Sequence, residues 1–213
     1  MKSFTLKSML LLAMLTVIFA LQAQDREAGM EEIVAGMTEE LDLSDKQVEQ
    51  MKSLLTQYRG KMDGILLKYE DQEEPDVGAM IGEIRDARDA YRKDLQGVLS
   101  KDQYEKYMAK VNSILTDMFN DLAEIRLMDI QPKMDLTDSQ IESLTPIVGK
   151  SMLSTVQLLF ANAGTRLSLP KKVGIAKNLK KIEKEKRAGM EQILTPDQLA
   201  AYDKAKEEMK AKK

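Results

Sequence analysis

The sequence predicts an all-α protein built from long antiparallel helical hairpins. Its 213 residues include only 5 Pro and 11 Gly, and aromatic residues make up 5%, so strong helix formers dominate the composition. One helix-start motif recurs four times, and the apolar residues after it repeat every three or four positions. We therefore predict two tandem helical repeats that form an elongated bundle or cradle.

The composition also excludes several chemistries. The chain has no Cys and no His, so it has no thiol or Ser-His-Asp catalysis, no disulfides and none of the usual zinc, copper or haem ligands. The acidic cluster between Glu70 and Asp76 lacks the spacing of a calcium loop, and we interpret it as a solvated loop. Nothing in the sequence places two carboxylates in one cleft. We therefore expect no cofactor, no metal and no enzyme activity.

The first 23 residues have the pattern of a secretory signal peptide. Lys2 and Lys7 precede an uncharged apolar run at residues 9–21, and Ala20 and Ala23 supply small residues for cleavage before Gln24. An uncleaved anchor is the alternative, but the run is shorter than the roughly 20 residues that span a bilayer. We predict a periplasmic or secreted protein.

Charge is distributed unevenly along the rest of the chain. Residues 24–165 hold 16 basic and 28 acidic side chains, whereas residues 166–213 hold 14 basic and 7 acidic ones. The Lys-rich end either docks on acidic helices of its own fold, or is solvated, or binds anionic partners such as acidic clients or phospholipid headgroups. Membrane-surface contact through this region is thus one hypothesis. The acidic remainder does not favour nucleic acid.

The recurring motif has the form Leu-Ser/Thr-x-x-Gln. Its Ser or Thr can accept a hydrogen bond from the first helical turn while the Gln reaches back to the Ser or Thr backbone N–H, which forms a capping box. The preceding Leu can pack on the apolar residue after the Gln as a hydrophobic staple. The motif residues are Leu43, Ser44 and Gln47; Leu99, Ser100 and Gln103; Leu136, Thr137 and Gln140; and Leu194, Thr195 and Gln198.

The spacing of the motifs indicates a tandem duplication. Successive motifs lie 56, 37 and 58 residues apart, so a shift of 93 residues superposes the first on the third and one of 95 residues superposes the second on the fourth. We predict a first helical repeat at residues 24–130, which includes an extra N-terminal helix, and a second at residues 131–213.

Two apolar seams follow the first two motifs at strict three-four spacing, and we expect each to face another helix. The seams comprise Val48, Met51, Leu55, Tyr58, Met62, Ile65 and Tyr69, then Tyr104, Met108, Val111, Leu115, Met118, Leu122 and Ile125. A further segment, residues 151–165, has no charge and is apolar on nearly every side. Fifteen residues are too few to span a membrane, and we expect a core helix, a dimer contact or a client surface.

The four motifs on long charged helices, behind a signal peptide, resemble the LTxxQ family of periplasmic proteins, which includes Spy-like and CpxP-like chaperone and stress proteins. The resemblance covers residues 41 to about 205. It implies a helical cradle that is active without nucleotide. Related chains carry two motifs and dimerise, so this chain, with four, is either a homodimer or an intramolecular pseudo-dimer.

We therefore hypothesise an exported, ATP-independent, chaperone-like stress protein that binds unfolded or aggregation-prone envelope proteins. The alternative is a non-enzymatic regulatory adaptor for one envelope partner, as the CpxP resemblance implies. Apolar residues of both repeats are the candidate client-binding side chains, although core packing is the simpler interpretation of each. They are Tyr58, Met62, Ile65, Leu66, Leu158, Leu159 and Phe160.

Overall fold

The computed structural model describes residues 28–70, 72, 75–163 and 168–211, with side chains from Val34 to Ala205 within these ranges. The predicted signal peptide lies outside them. The described residues form seven α-helices and no strand, which confirms the predicted all-α class with antiparallel helix pairs. The helices are α1 (Ala28–Leu41), α2 (Asp45–Glu70), α3 (Val77–Val98), α4 (Lys101–Met134), α5 (Asp138–Asn162), α6 (Leu169–Met190) and α7 (Pro196–Ala211).

The chain divides into two compact units. Among the described residues, the first unit comprises 28–112 and 160–163, and the second comprises 113–159 and 168–211. The division therefore falls within α4, between its third and fourth turns. The predicted boundary at residue 130 separates two sequence repeats, not two compact units, and it stays a prediction.

In the first unit, α2 and α3 form an antiparallel hairpin. Tyr58 stacks on Tyr91 near the middle, with ring centroids 4.8 Å apart. Beside the connecting loop, Met62, Tyr69, Met80 and Ile84 form one buried cluster. Asp76 caps α3 by accepting a 3.0 Å hydrogen bond from the backbone N–H of Ala79.

In the second unit, α4 from residue 113 onward packs antiparallel to α5 across a very close approach. A Cβ placed on Gly149 of α5 would lie 2.3 Å from Oδ1 and 3.1 Å from the backbone N of Asn120 of α4. A Cβ placed on Gly189 of α6 would lie 3.0 Å from Cδ1 and Cγ2 of Ile147 of α5. These glycines let the three helices approach one another.

Two helices end in the same unusual turn. Asp42 after α1 and Asp135 after α4 both have φ of 50°, a left-handed conformation that Asp tolerates better than most residues. The backbone N–H of Leu43 bonds to the carbonyl of Thr38 at 3.1 Å, which is the Schellman arrangement of a helix C-terminus. Asp42 and Asp135 are 93 residues apart, the same shift as the first and third motifs.

The structure corrects the second seam. Its last residue, Ile125, is 58% exposed, and the buried residues of this half of α4 are instead Phe119, Ala123 and Leu127. Tyr107 and Ile125 are 18 residues apart, five full turns of a straight helix, so the two side chains point the same way although Tyr107 is only 8% exposed. The face of α4 that is buried in the first unit is therefore not the face that is buried in the second, and one seam cannot describe both halves of this helix of 34 residues.

The structure also changes the description of the uncharged segment. Residues 151–162 of this segment belong to α5, whose 25 residues include an 18-residue window apolar enough to cross a membrane by length and composition alone. No other described helix meets this test. Only 17% of that window is buried. The 15-residue uncharged run therefore underestimates the length of the apolar part of this helix. Core helices of soluble proteins pass the same test.

Candidate functional site: paired glutamines and exposed apolar side chains

Each of the four motifs forms a capping box. The backbone N–H of Ser44 donates to Oε1 of Gln47 at 3.1 Å, and the N–H of Gln47 donates to Oγ of Ser44 at 3.4 Å. The same two bonds occur in the other three motifs at 2.9 to 3.3 Å. The motif leucines are buried beside their staple partners in two core clusters. The motifs therefore fix four helix starts and also fix where each glutamine side chain lies.

The glutamines of the first two motifs also bind each other. Nε2 of Gln47 lies 2.8 Å from Oε1 of Gln103, and Nε2 of Gln103 lies 3.4 Å from Oε1 of Gln47. Each Nε2 then donates to a carbonyl beside the other motif, that of Val98 at 3.0 Å and that of Leu41 at 3.1 Å. We call this arrangement the first amide pair.

The second unit repeats the arrangement. Nε2 of Gln140 lies 2.9 Å from Oε1 of Gln198, and the reverse contact is 3.1 Å. The outward donations go to the carbonyls of Ile193 and Asp135, at 3.2 and 2.9 Å. We call this the second amide pair. Sequence reasoning located all four glutamines but did not predict their pairing, because pairing depends on which helix starts meet in space.

A similar core lies under each amide pair. Five buried positions of the first unit have buried apolar counterparts in the second at the same shifts of 93 or 95 residues. They are Leu41, Leu43, Met51, Leu95 and Leu99, matched by Met134, Leu136, Leu144, Met190 and Leu194. The matching extends the repeat beyond the motifs into the cores.

The polar contact beside each core differs between the units. In the first, the hydroxyls of Tyr91 and Tyr107 lie 3.4 Å apart, and burial raises the pKa of both phenols above the usual value of 10.0. In the second, Nζ of Lys186 donates to the hydroxyl of Tyr202 at 2.9 Å. Burial disfavours the charge on Lys186, but Tyr202 and Glu183 outweigh it and raise the pKa of this ammonium.

The predicted client-binding residues of α2 are mostly packed. Met62 is 2% exposed and belongs to the core cluster with Tyr69, Met80 and Ile84, so it does not offer a surface in this structure. Tyr58, Ile65 and Leu66 are half-buried.

The three predicted residues of α5 differ in exposure. Leu158 and Phe160 are half-buried, and Leu159 is 36% exposed. Phe160 belongs to the first unit, where the guanidinium of Arg88 lies 4.6 Å from its ring centroid. Nη1 of Arg85 donates to the carbonyl of Ala163 at 2.6 Å. Two arginines of α3 thus hold the end of α5, and Phe160 is part of that contact.

Sequence reasoning missed a more exposed apolar surface on α4. Ile114, Ile125 and Met128 are 48%, 58% and 53% exposed. By helical geometry they share one face, opposite the buried Phe119 and Ala123. We call these three residues the α4 apolar stripe. The sequence contained one signal for this surface. The aromatic Phe119 lies outside the predicted three-four seam, which indicates that the buried face of α4 changes near it.

A shallow groove of about 380 Å³ runs between α2 and α3, lined by Lys61, Gly64, Ile65, Glu83, Asp86 and Ala87. Beside it, Glu83 accepts hydrogen bonds from Lys68 at 2.5 Å and from the Tyr69 hydroxyl at 2.8 Å. These two donors lower the pKa of the Glu83 carboxyl. The described residues contain no group of three acidic side chains placed to hold a metal ion.

The fold and these contacts define an all-α protein whose helix starts are joined in pairs by glutamine side chains. Residues 21–107 match the family model of a domain of unknown function, DUF4890. The match includes the first two motifs and ends within α4. No curated protein and no solved structure matches the chain. The resemblance to the LTxxQ family therefore continues to rest on the four motifs.

Proposed function

We propose that this protein is an exported, chaperone-like protein that binds unfolded or aggregation-prone proteins without nucleotide. The observation that carries the proposal is the α4 apolar stripe, three large apolar side chains about half exposed on one helix face. From Ile114 to Met128 the stripe is about 21 Å long at 1.5 Å per residue. Exposed apolar side chains along one face are typical of a protein-binding surface.

The chemistry of the stripe suits a broad range of clients. Met side chains are flexible and adapt to irregular partners, so Met128 can contact differently shaped apolar segments. Four exposed acidic side chains lie on or beside this face, and Asp121 falls within the arc of the stripe itself; the four are Asp117, Asp121, Glu124 and Asp129. These carboxylates would keep a client complex soluble and favour client segments that carry basic residues.

The test follows the aggregation of a chemically denatured test protein by light scattering. The wild type should suppress scattering, and the triple variant Ile114→Gln, Ile125→Gln, Met128→Gln should lose most of this activity because it removes the apolar surface. Leu67→Gln is the control, since Leu67 is 65% exposed but lies on α2. Circular dichroism should show unchanged helix content in both variants.

No suppression by the wild type at several-fold molar excess would refute the proposal, and so would equal suppression by the triple variant. A crosslinking pulldown from envelope extract provides a second measurement. Many clients would support the proposal, whereas one saturable partner would favour the regulatory adaptor instead.

A further inference from the structure

The outward face of α6 combines lysines with exposed apolar side chains. Leu169 is 74% exposed and Val173 is 47% exposed. Lys177, Lys180 and Lys184 follow them and are also exposed. At 100° per residue, the five positions lie within an arc of about 80°, along about 22 Å of helix. We call them the α6 lysine stripe.

The opposite face of α6 fixes this orientation. Met190 is buried in the core of the second unit, and Ile175, Leu179 and Ile182 are half-buried. The apolar side of the helix is therefore its more buried side. The lysine stripe is the side that remains available to a partner.

Few carboxylates of the chain oppose these charges. α6 holds eight basic residues and only two acidic ones. Among the described residues, no carboxylate oxygen lies within 4.0 Å of the ammonium of Lys177, Lys180 or Lys184, whereas Lys181 pairs with Glu185 at 3.9 Å. The three stripe lysines are thus free to neutralise an external anion.

We propose that the α6 lysine stripe docks this protein on an anionic phospholipid surface, a role that goes beyond client binding. A straight helix touches a flat surface along one narrow line, so all five side chains reach it together. The lysine stems extend to the phosphates, while Leu169 and Val173 enter the shallow boundary between headgroups and acyl chains. The charge is complementary to that surface over the whole length of the stripe.

The test measures cosedimentation of the chain beginning at Gln24 with phosphatidylcholine vesicles that contain or lack phosphatidylglycerol. We expect binding only to the anionic vesicles, weakened by salt because the attraction is screened. Each lysine near such a surface contributes about five-fold in affinity, so Lys177→Gln, Lys180→Gln, Lys184→Gln should bind roughly 100-fold more weakly. Leu169→Ser should lower the binding that remains at high salt.

The matched control, Lys46→Gln, Lys61→Gln and Lys93→Gln, removes the same net charge from three exposed lysines of the first unit. It should bind within about two-fold of wild type, because these lysines lie outside the α6 lysine stripe. Equal binding by the two triple variants would overturn the proposal. Equal binding to vesicles without phosphatidylglycerol would also overturn it and would point to apolar insertion.

Two further results would identify a protein, not a membrane, as the partner of the α6 lysine stripe. If the wild type ignores vesicles but binds an acidic polypeptide such as polyglutamate, the surface recognises acidic proteins and the proposal is wrong. If it ignores vesicles and self-associates in sedimentation, and the α6 triple variant stays monomeric, the stripe contacts a second copy and the proposal is equally wrong. Loss of chaperone-like activity in the scattering assay would leave vesicle binding unaffected, so the two proposals fail separately.

Discussion

The side-chain amides of Gln47 and Gln103 bind each other although the two residues are 56 positions apart in the chain. Nε2 of Gln47 uses both of its hydrogens, one on Oε1 of Gln103 and one on the carbonyl of Val98. Its Oε1 accepts from the backbone N–H of Ser44. One amide thus caps its own helix and joins it to a second helix start.

Gln47→Glu should destabilise the protein. A carboxylate still accepts from Ser44, but it no longer donates to Gln103 or to the carbonyl of Val98, and it places negative charge beside their oxygens. We expect a loss of about 1–3 kcal/mol in the free energy of unfolding. Urea denaturation measures it.

Gln140→Glu in the second amide pair should cost a similar amount, because Gln140 makes the equivalent bonds. Gln96→Glu is the control, since Gln96 is exposed on α3 and should change stability by less than about 0.5 kcal/mol. Equal effects of Gln47→Glu and Gln96→Glu would show that the first amide pair contributes nothing.

Gly149→Ala should also destabilise the protein. The new methyl group would lie 2.3 Å from Oδ1 and 3.1 Å from the backbone N of Asn120, so α4 or α5 must shift. Overpacking of this kind costs about 1–3 kcal/mol. Gly60→Ala is the opposite case, because open space surrounds Gly60 on α2 and the better helix former should add about 1 kcal/mol. Thermal melts should therefore shift in opposite directions, and shifts of the same sign would contradict the close approach of α4 and α5.

Stability should fall at alkaline pH through the buried tyrosines. Burial raises the pKa of Tyr91 and Tyr107 above 10.0 in the folded protein, whereas the unfolded chain ionises near that value. Below pH 10 both states hold the phenol protons, so the full stability is present; above it the unfolded state loses protons first, and unfolding becomes more favourable.

Urea denaturation across a series of alkaline pH values measures this slope, and tyrosinate absorbance follows the ionisation directly. Tyr91→Phe should make the decline with pH shallower, since one raised group is removed. A variant that declines as steeply as the wild type would refute the assignment of the effect to Tyr91.

Arg88 and Phe160 should couple energetically, because the guanidinium lies 4.6 Å from the ring centroid. A double-mutant cycle with Arg88→Gln and Phe160→Leu should give a coupling free energy of about 0.5–1 kcal/mol. Additive effects would exclude the contact. Measured coupling would also mean that Phe160 stabilises the first unit. Any loss of client binding in a Phe160 variant would then have to be corrected for its lower stability.

Sequence reasoning succeeded where the chemistry is local. A capping box involves four consecutive residues, so Ser44 and Gln47 suffice to predict the start of α2. The seam of α2 was also predictable, since Met51, Met62 and Tyr69 are all buried.

The remaining features depend on how helices meet. Nothing near Gln47 in the sequence indicates that Gln103 is its partner. The exposure of Ile125 follows from a change in the buried face along α4, which a single repeated pattern does not represent. The close contact at Gly149 likewise required the position of Asn120 on another helix.

The unequal polar contacts beside the two repeated cores have a consequence for assembly during folding. All four glutamines offer the same donors and acceptor, so their hydrogen bonds alone do not distinguish a correct partner from the wrong one. A chain that joined the first motif to the fourth would lose the stack of Tyr58 of α2 on Tyr91 of α3, and would bring α2 to α6, where Lys186 occupies the position equivalent to Tyr91. The difference between Tyr91 and Lys186 therefore gives an internally repeated chain a means of rejecting its own mispaired halves.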